Sequence, residues 1–319
     1  MAVRIYRSLE ELPPDFGPSA VTIGNFDGVH LGHREILRRL RALADANGWK
    51  ASALTFDPHP TKVVAPERTP KLMTSPEQRA RLMGEAQLDQ AGLDQVLILP
   101  FNPDIARLTP EQFAEDLLAR RMGAKAVLVG ENFRFGCRQA GDVHLLEALG
   151  RRLGFVVEIV PAVRYRGQVV SSSGIRTLIA AGRMALANRL LARPYAIEGR
   201  VVSGRGVGHK QTVPTLNLET EAEMIPARGV YVTRANGMDA VTNIGYRPTF
   251  GASDQLSIET FLLNGAALPA VLTIEFLARL REERKFDSPE ALKQRILFDV
   301  GAAQRYFRRS RTLCQPATF

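Results

Sequence analysis

The chain has 319 residues, 45% of them hydrophobic and 24% charged, a balance that folds and excludes intrinsic disorder, and its length favours two cores over one. Its formal charge of +9 draws anions, yet Lys and Arg are spread out, and the clusters "RRLR" and "RRSR" lack interleaved aromatics, which argues for small anionic substrates and against nucleic acid. No run approaches the roughly 18 apolar residues of a membrane span, and the start "MAVRIYRSLEELPPD" lacks the apolar segment of a signal peptide. Cys137 and Cys314 form no metal-binding or disulfide spacing. The expectation is a cytoplasmic protein that engages neither membrane nor nucleic acid.

Through about residue 163 short apolar runs alternate with amphipathic stretches. "AVTIGN", "SALTF", "QVLILP", "KAVLVG" and "FVVEIV" are the strand candidates, and such a pattern implies a parallel sheet covered on both faces. After the first strand, Ile36, Leu37, Leu40, Leu43 and Ala44 share one helical stripe that stops at Asn47 and Gly48. Ser75 in "SPEQ" and Thr109 in "TPEQF" each open a helix with a capping box, the latter closed by Gln112 with Pro110 at the first helical position. From about Pro194 the texture becomes short β-rich segments punctuated by Gly, Pro and Asn: "YAIEGRVVSG", "PTLNLE", "GVYVTRANGMDAVTNIG", "LSIETFLL" and "AVLTIEFLARL". That is the rhythm of a small antiparallel barrel. A last helix follows, capped at Asp287 or Ser288, with Leu292, Ile296, Val300 and Phe307 on one stripe and a mobile basic tail expected beyond it.

In an open α/β sheet ligands sit beyond the carboxyl ends of the strands. There the chain places "GNFDGVHLGH", "FDPHP" and "GENFRFG". Gly24 and Gly28 let backbone approach a ligand, and a helix starting near His30 aims its N-terminal N–H groups at the same place, an anion site. Two histidines at that helix start can donate to one phosphate chain and stabilise charge that develops as pyrophosphate leaves an α-phosphate. His59, between two prolines, can hold its loop as readily as touch a nucleotide. The string "GNFDGVHLGH" resembles the signature of the HxGH nucleotidyltransferases and, at full length, their flavin-adenylylating branch. "TFDPHP", "GENFRFG" and "SSSGIRTLIAAG" follow in that branch's order. The resemblance implies an α/β Rossmann-like domain in which Gly24, Asn25, Phe26, Asp27, His30 and His33 line ATP. It also implies that Ser172, Ser173 and Arg176 hold the phosphates from the opposite side and that Asn132 meets the flavin. The branch carries a basic residue where this chain has Gly174.

In the second half, "GRVVSGRGVGHKQTVPTLNLE" joins a glycine-rich loop with Gly204, Gly206 and Gly208 to Thr215 and Asn217. Loop N–H groups can nest phosphate, and a Thr hydroxyl with an Asn carbonyl two residues on can ligate Mg2+ from one side of a strand. "PTLN", "GVYV", "NIGYRPTF" and "SIETFLL" resemble, in order, the motifs of the riboflavin kinase module, an all-β barrel with a C-terminal helix, and by that resemblance Glu259 is its catalytic base. The module carries glycine and an aromatic where this chain has Thr212 and Val213, and a different turn where it reads "NGAALPAVL".

Together the resemblances cover nearly the whole chain and imply a bifunctional family, with an FMN adenylyltransferase domain over residues 1–186 and a riboflavin kinase domain over 187–319. ATP would phosphorylate riboflavin to FMN and then adenylylate FMN to FAD, with Mg2+ as the metal. Two other readings stay open at this point: an HxGH adenylyltransferase for another phosphorylated acceptor with the barrel as a binding module, and a basic RNA-binding protein on the same scaffold. Assembly into a homo-oligomer is left open as well.

Overall fold

The structure is a computed structural model that describes residues 3–85, 92–202, 215–247, 255–264, 270–284 and 286–314. The chain divides into two compact units, Met1–Ser172 and Ser173–Phe319.

The first unit is built on six parallel strands: β1 (Arg4–Tyr6), β2 (Ser19–Ile23), β3 (Lys50–Asp57), β4 (Gln95–Pro100), β5 (Ala124–Gly130) and β6 (Val156–Val160). They stand in the order β1-β4-β3-β2-β5-β6. Strands β2 to β6 are the five expected ones. The sixth, β1, pairs with Gln95–Leu97 at the edge and is too short for periodicity to reveal. Between the strands run α1 (Leu31–Asn47), α2 (Pro60–Val64), α3 (Pro76–Gly84), α4 (Pro103–Arg107), α5 (Pro110–Gln112, continued in wider π winding over Phe113–Arg121) and α6 (Val143–Leu153).

Side-chain alternation along each strand makes two cores. Val21, Ile23, Leu54, Phe56, Val127 and Val129 meet α5 and α6 on one face, while Ala20, Ala53, Ala126 and Leu128 meet α1 and α3 on the other. Leu37, Leu40 and Ala44 are the buried residues of α1, whose C-cap Gly48 takes the left-handed conformation, φ 67°. Both capping boxes form, Ser75 with Gln78 and Thr109 with Gln112. The strand order reverses between β2 and β5, which opens the crevice where ligands of such sheets bind. A small hairpin of β7 (Arg164–Tyr165) and β8 (Gln168–Val169) ends this unit.

The helix α7 (Ser172–Ala180) crosses the division, and α8 (Met184–Leu191) follows. Next come β9 (Tyr195–Val202), β10 (Leu216–Glu219), β11 (Gly229–Ala235), β12 (Met238–Arg247), β13 (Gln255–Leu262) and β14 (Val271–Arg281), closed as a barrel in the order β10-β13-β12-β11-β14-β9. Asn236 and Gly237, with φ of 47° and 79°, turn β11 into β12, the left-handed pair a tight hairpin demands. Inside the barrel, Thr233, Thr242 and Thr260 join hydroxyls at 2.8 and 2.9 Å, so three buried polar groups satisfy one another among apolar neighbours. The last helix, α9 (Pro289–Cys314), is capped by Ser288, whose hydroxyl accepts from the Ala291 N–H at 3.1 Å. It buries Ala303 and Phe307 against Val230, Val232 and Val241. It also runs on through Arg308–Arg311, where a mobile tail was expected, and Arg311 pairs there with Asp239.

Candidate active sites

In the first unit the loop between β2 and α1 is folded around its own backbone. The Gly24 N–H bonds the Leu54 carbonyl at 3.1 Å, which roots the loop on β3. Beyond it Phe26, Gly28 and Val29 have φ of 47°, 82° and 41°. For Phe and a β-branched Val that conformation is strained, and strain of this kind concentrates at functional sites. Asp27, 1% exposed, accepts from the N–H groups of Met73 and Thr74 at 2.9 and 3.1 Å and from the Thr74 hydroxyl at 3.2 Å. It therefore ties Met73 and Thr74 to the loop, and the next residue, Ser75, is committed to its helix cap. Beneath lies Arg79, also 1% exposed, with Nη1 donating to the Asn25 carbonyl at 2.6 Å and the Thr55 hydroxyl at 2.9 Å. Burial pushes this guanidinium below its ordinary pKa, while Asp27, Asp57 and Glu77 pull it back. Neither Thr74 nor Arg79 carries a signal in the linear sequence, because Thr74 meets Asp27 across 47 residues and Arg79 meets Asn25 across 54.

His30 is the N-cap of α1: its Nδ1 accepts from the N–H groups of Gly32 and His33 at 3.1 and 3.4 Å. Two of the helix's first donors are thus taken by its own cap, where the sequence aims the N-terminal N–H groups at an anion. An imidazole whose Nδ1 accepts carries its proton on Nε2, so Nε2–H is the donor that His30 has for a phosphate. The His30 and His33 rings stack with centroids 3.7 Å apart and planes 16° from parallel, and Phe26 sets its edge on His33 at 5.2 Å. Gly32 makes this stack reachable: a Cβ there would stand 3.1 Å from Cε1 and 3.2 Å from Nδ1 of His30.

Of the other expected residues, Ser172 donates from Oγ to the Asp27 carbonyl at 2.9 Å, pinning the loop from the start of α7. Ser173 is the next residue of α7 and Arg176 lies one turn further along it, both in the stretch assigned to the second unit. Asn132 is exposed in the turn directly after β5, the strand beside β2. His59 is 8% exposed and caps α2, its Nδ1 accepting from the Thr61 N–H at 3.3 Å, a loop-holding role.

In the second unit the barrel's register builds the site. Asn217 of β10 lies opposite Glu259 of β13, which lies opposite Asn243 of β12, so the three share one row. Their neighbours Leu216, Ile244, Ile258 and Thr260 are buried, so the row faces outward from the barrel while the alternate residues fill it. Asn243 sits in "NIGYRPTF" but cannot be singled out from sequence, since only register brings it beside Glu259. Thr215 and Asn217, two residues apart, offer a hydroxyl and an amide oxygen on this side; such hard, neutral oxygens suit Mg2+, which keeps waters and phosphate oxygens as its remaining ligands. Gly204, Gly206 and Gly208 lie outside the described residues.

Comparison with known proteins agrees with both halves. The FAD synthetase family model matches residues 13–174 and the riboflavin kinase model residues 191–307. The bifunctional riboflavin kinase/FMN adenylyltransferase of Pseudomonas fluorescens is 37% identical over 308 residues, covering 95% of this chain and 97% of that one. The protein of the same name from Escherichia coli strain K12 is 32% identical over 311 residues, covering 96% and 97%. Among solved structures, one titled as a macrolide-efflux protein from Streptococcus pneumoniae superposes with a TM-score of 0.82 at 26% identity, covering 95% of this chain and 99% of that one. Among the described residues of the present chain, no helix is long and apolar enough to cross a membrane.

Proposed function

The chain belongs to the family of bifunctional riboflavin kinase/FMN adenylyltransferases, and from that premise we propose which of its residues carry each step. The C-terminal half phosphorylates riboflavin to FMN with ATP; the N-terminal half transfers AMP from ATP to FMN, giving FAD and pyrophosphate. For adenylyl transfer, the FMN phosphate attacks the α-phosphorus of ATP in line with departing pyrophosphate. His30 and His33 stabilise the charge that grows on that leaving group, the loop Gly24–Asp27 cradles the nucleotide, and Asn132 meets the flavin. Ser172, Ser173 and Arg176 bind phosphate oxygens as donors that bring no repelling acceptor. The observation that carries this is the imidazole pair stacked at 3.7 Å on the N-terminus of a helix at the sheet's switch point.

For the kinase, Glu259 accepts the proton of the riboflavin primary alcohol as its oxygen attacks the γ-phosphorus and ADP leaves. Thr215 and Asn217 would hold Mg2+, whose charge would offset that of the phosphates. Both steps consume ATP, which supports a cytoplasmic location. The catalytic division we propose is 1–186 for adenylyl transfer and 187–319 for phosphorylation. Incubation with riboflavin, ATP and Mg2+, with flavins resolved by chromatography, is expected to show FMN and then FAD. Chelating the metal should stop the first product. Consumption of FMN without any from riboflavin would remove the kinase assignment.

A further inference from the structure

Glu259 stands on an outward-facing strand position, and a glutamate there has three rotatable bonds with which to leave the reacting alcohol. Its carboxylate is not left to wander: the Ser257 hydroxyl donates to Glu259 Oε1 at 3.0 Å. Residues i and i+2 of a strand share a face with their Cα atoms roughly 7 Å apart, so this bond requires the glutamate to lean back along β13 towards Ser257. Ser257 is itself only 9% exposed. It lies opposite Gly245 of β12, where the Glu283 carboxylate rests so close that a Cβ on Gly245 would meet its Oε1 at 2.1 Å. That bond holds the Oε1 oxygen of Glu259 towards the buried Ser257 hydroxyl.

We propose that Ser257 is the positioning residue of the kinase half: it does not touch substrate, but it orients the Glu259 carboxylate for proton acceptance. The inference rests on the reading of Glu259 as the base. Rate in such a step depends on holding the accepting oxygen within hydrogen-bond reach of the attacking alcohol, and small misplacements cost large factors. Ser257 contributes nothing to riboflavin or ATP affinity in this account, so its removal lowers kcat and leaves KM nearly unchanged.

The test is a double-mutant cycle on the full chain, with riboflavin phosphorylation and adenylylation of supplied FMN measured on each preparation. Ser257→Ala is expected to lower the kinase kcat by about tenfold with KM within about twofold of the parent. Ser257→Thr, which keeps the hydroxyl, should recover most of that loss. Glu259→Gln should lower kcat by about 10²- to 10⁴-fold, and Ser257→Ala added to it should cost nothing more, because the serine acts only through the carboxylate. A wild-type kcat for Ser257→Ala, or a loss that multiplies with that of Glu259→Gln, overturns the positioning role while leaving the base in place. Full kinase activity in Glu259→Gln overturns the base itself and the inference with it. A fall in both kinase and adenylylation rates of Ser257→Ala that Ser257→Thr shares would mark a packing role and also overturn the proposal.

Discussion

At the scale of single residues, the proposed adenylylation site turns on how His30 divides its two nitrogens. Nδ1 is bound to the helix it caps, so catalysis has Nε2–H to work with, and the stack on His33 aims both rings together. His30→Ala or His33→Ala is expected to lower FAD formation from supplied FMN by at least about tenfold, since an oriented donor to a charged leaving group is worth more than about 1.4 kcal/mol. Riboflavin phosphorylation should persist in both. His30→Asn separates the two duties, because Asn caps a helix well but cannot put a donor where Nε2 stood; it should keep stability and remain poor at making FAD. Gly32→Ala reaches the same site indirectly. Its methyl would press on the His30 ring at 3.1 Å, so FAD formation should drop by about tenfold if a displaced imidazole is what matters. Wild-type FAD synthesis by Gly32→Ala would show that the ring can yield without cost.

At the scale of elements, α1 is fastened to the sheet by charge as well as by its apolar stripe. Glu35 accepts from Arg38 and Arg39, and Arg39 reaches on to Glu158 of β6 at 3.1 Å. The hydrogen bond from Arg38, followed by that from Arg39, holds the Glu35 carboxyl down at about 2 against an ordinary 4.5. Its folded pKa lies below the unfolded one, so the contribution is complete above pH 4.5 and fades as pH falls towards 2. Glu35→Gln is expected to cost about 0.5–1 kcal/mol at pH 7, the scale of a solvent-screened ion-pair network. The variant and parent should converge in urea denaturation as pH approaches 2; a gap that stays constant would rule out the carboxylate as its source. The elements themselves were legible because β2 to β6 carry short apolar runs and because α1, α3 and α5 announce their caps. What escaped was set by distance. The three residues of β1 gain strand character only by pairing with β4, the Asp27–Thr74 tie spans 47 residues, and Asn243 joins Glu259 only once the barrel's register exists. Sequence motifs could name Glu259 and Asn217, but not the row they share.

At the scale of the whole molecule, the question is where one catalytic part can be cut from the other. A division at 186/187 falls inside α8, whereas the compact units part at 172/173, and the residues between are packed on the barrel. A Cβ on Gly182 would meet Arg279 Cδ at 2.8 Å and the Tyr231 hydroxyl at 3.0 Å. Asn188 donates to the Phe276 carbonyl at 2.7 Å and accepts from the Tyr195 N–H at 2.8 Å, which clamps α8 across β9 and β14. A fragment starting at Ala187 keeps that clamp but loses the buried side chains of Ile175, Ile179 and Met184. Each is worth up to about 1.5–3 kcal/mol if burial is complete and the unfolded chain fully exposed. Fragments 173–319 and 187–319 are therefore both expected to convert riboflavin to FMN and to make no FAD, with the shorter one melting several degrees lower. The ordering follows from where the apolar area lies: the row proposed to be catalytic is on β10, β12 and β13, and α7 and the first turn of α8 lie outside that row. Should only the longer fragment phosphorylate riboflavin, the working boundary moves to 172/173. A folded 173–319 fragment without kinase activity would mean that the second unit is not a self-sufficient kinase, and the two-part division of labour would fall.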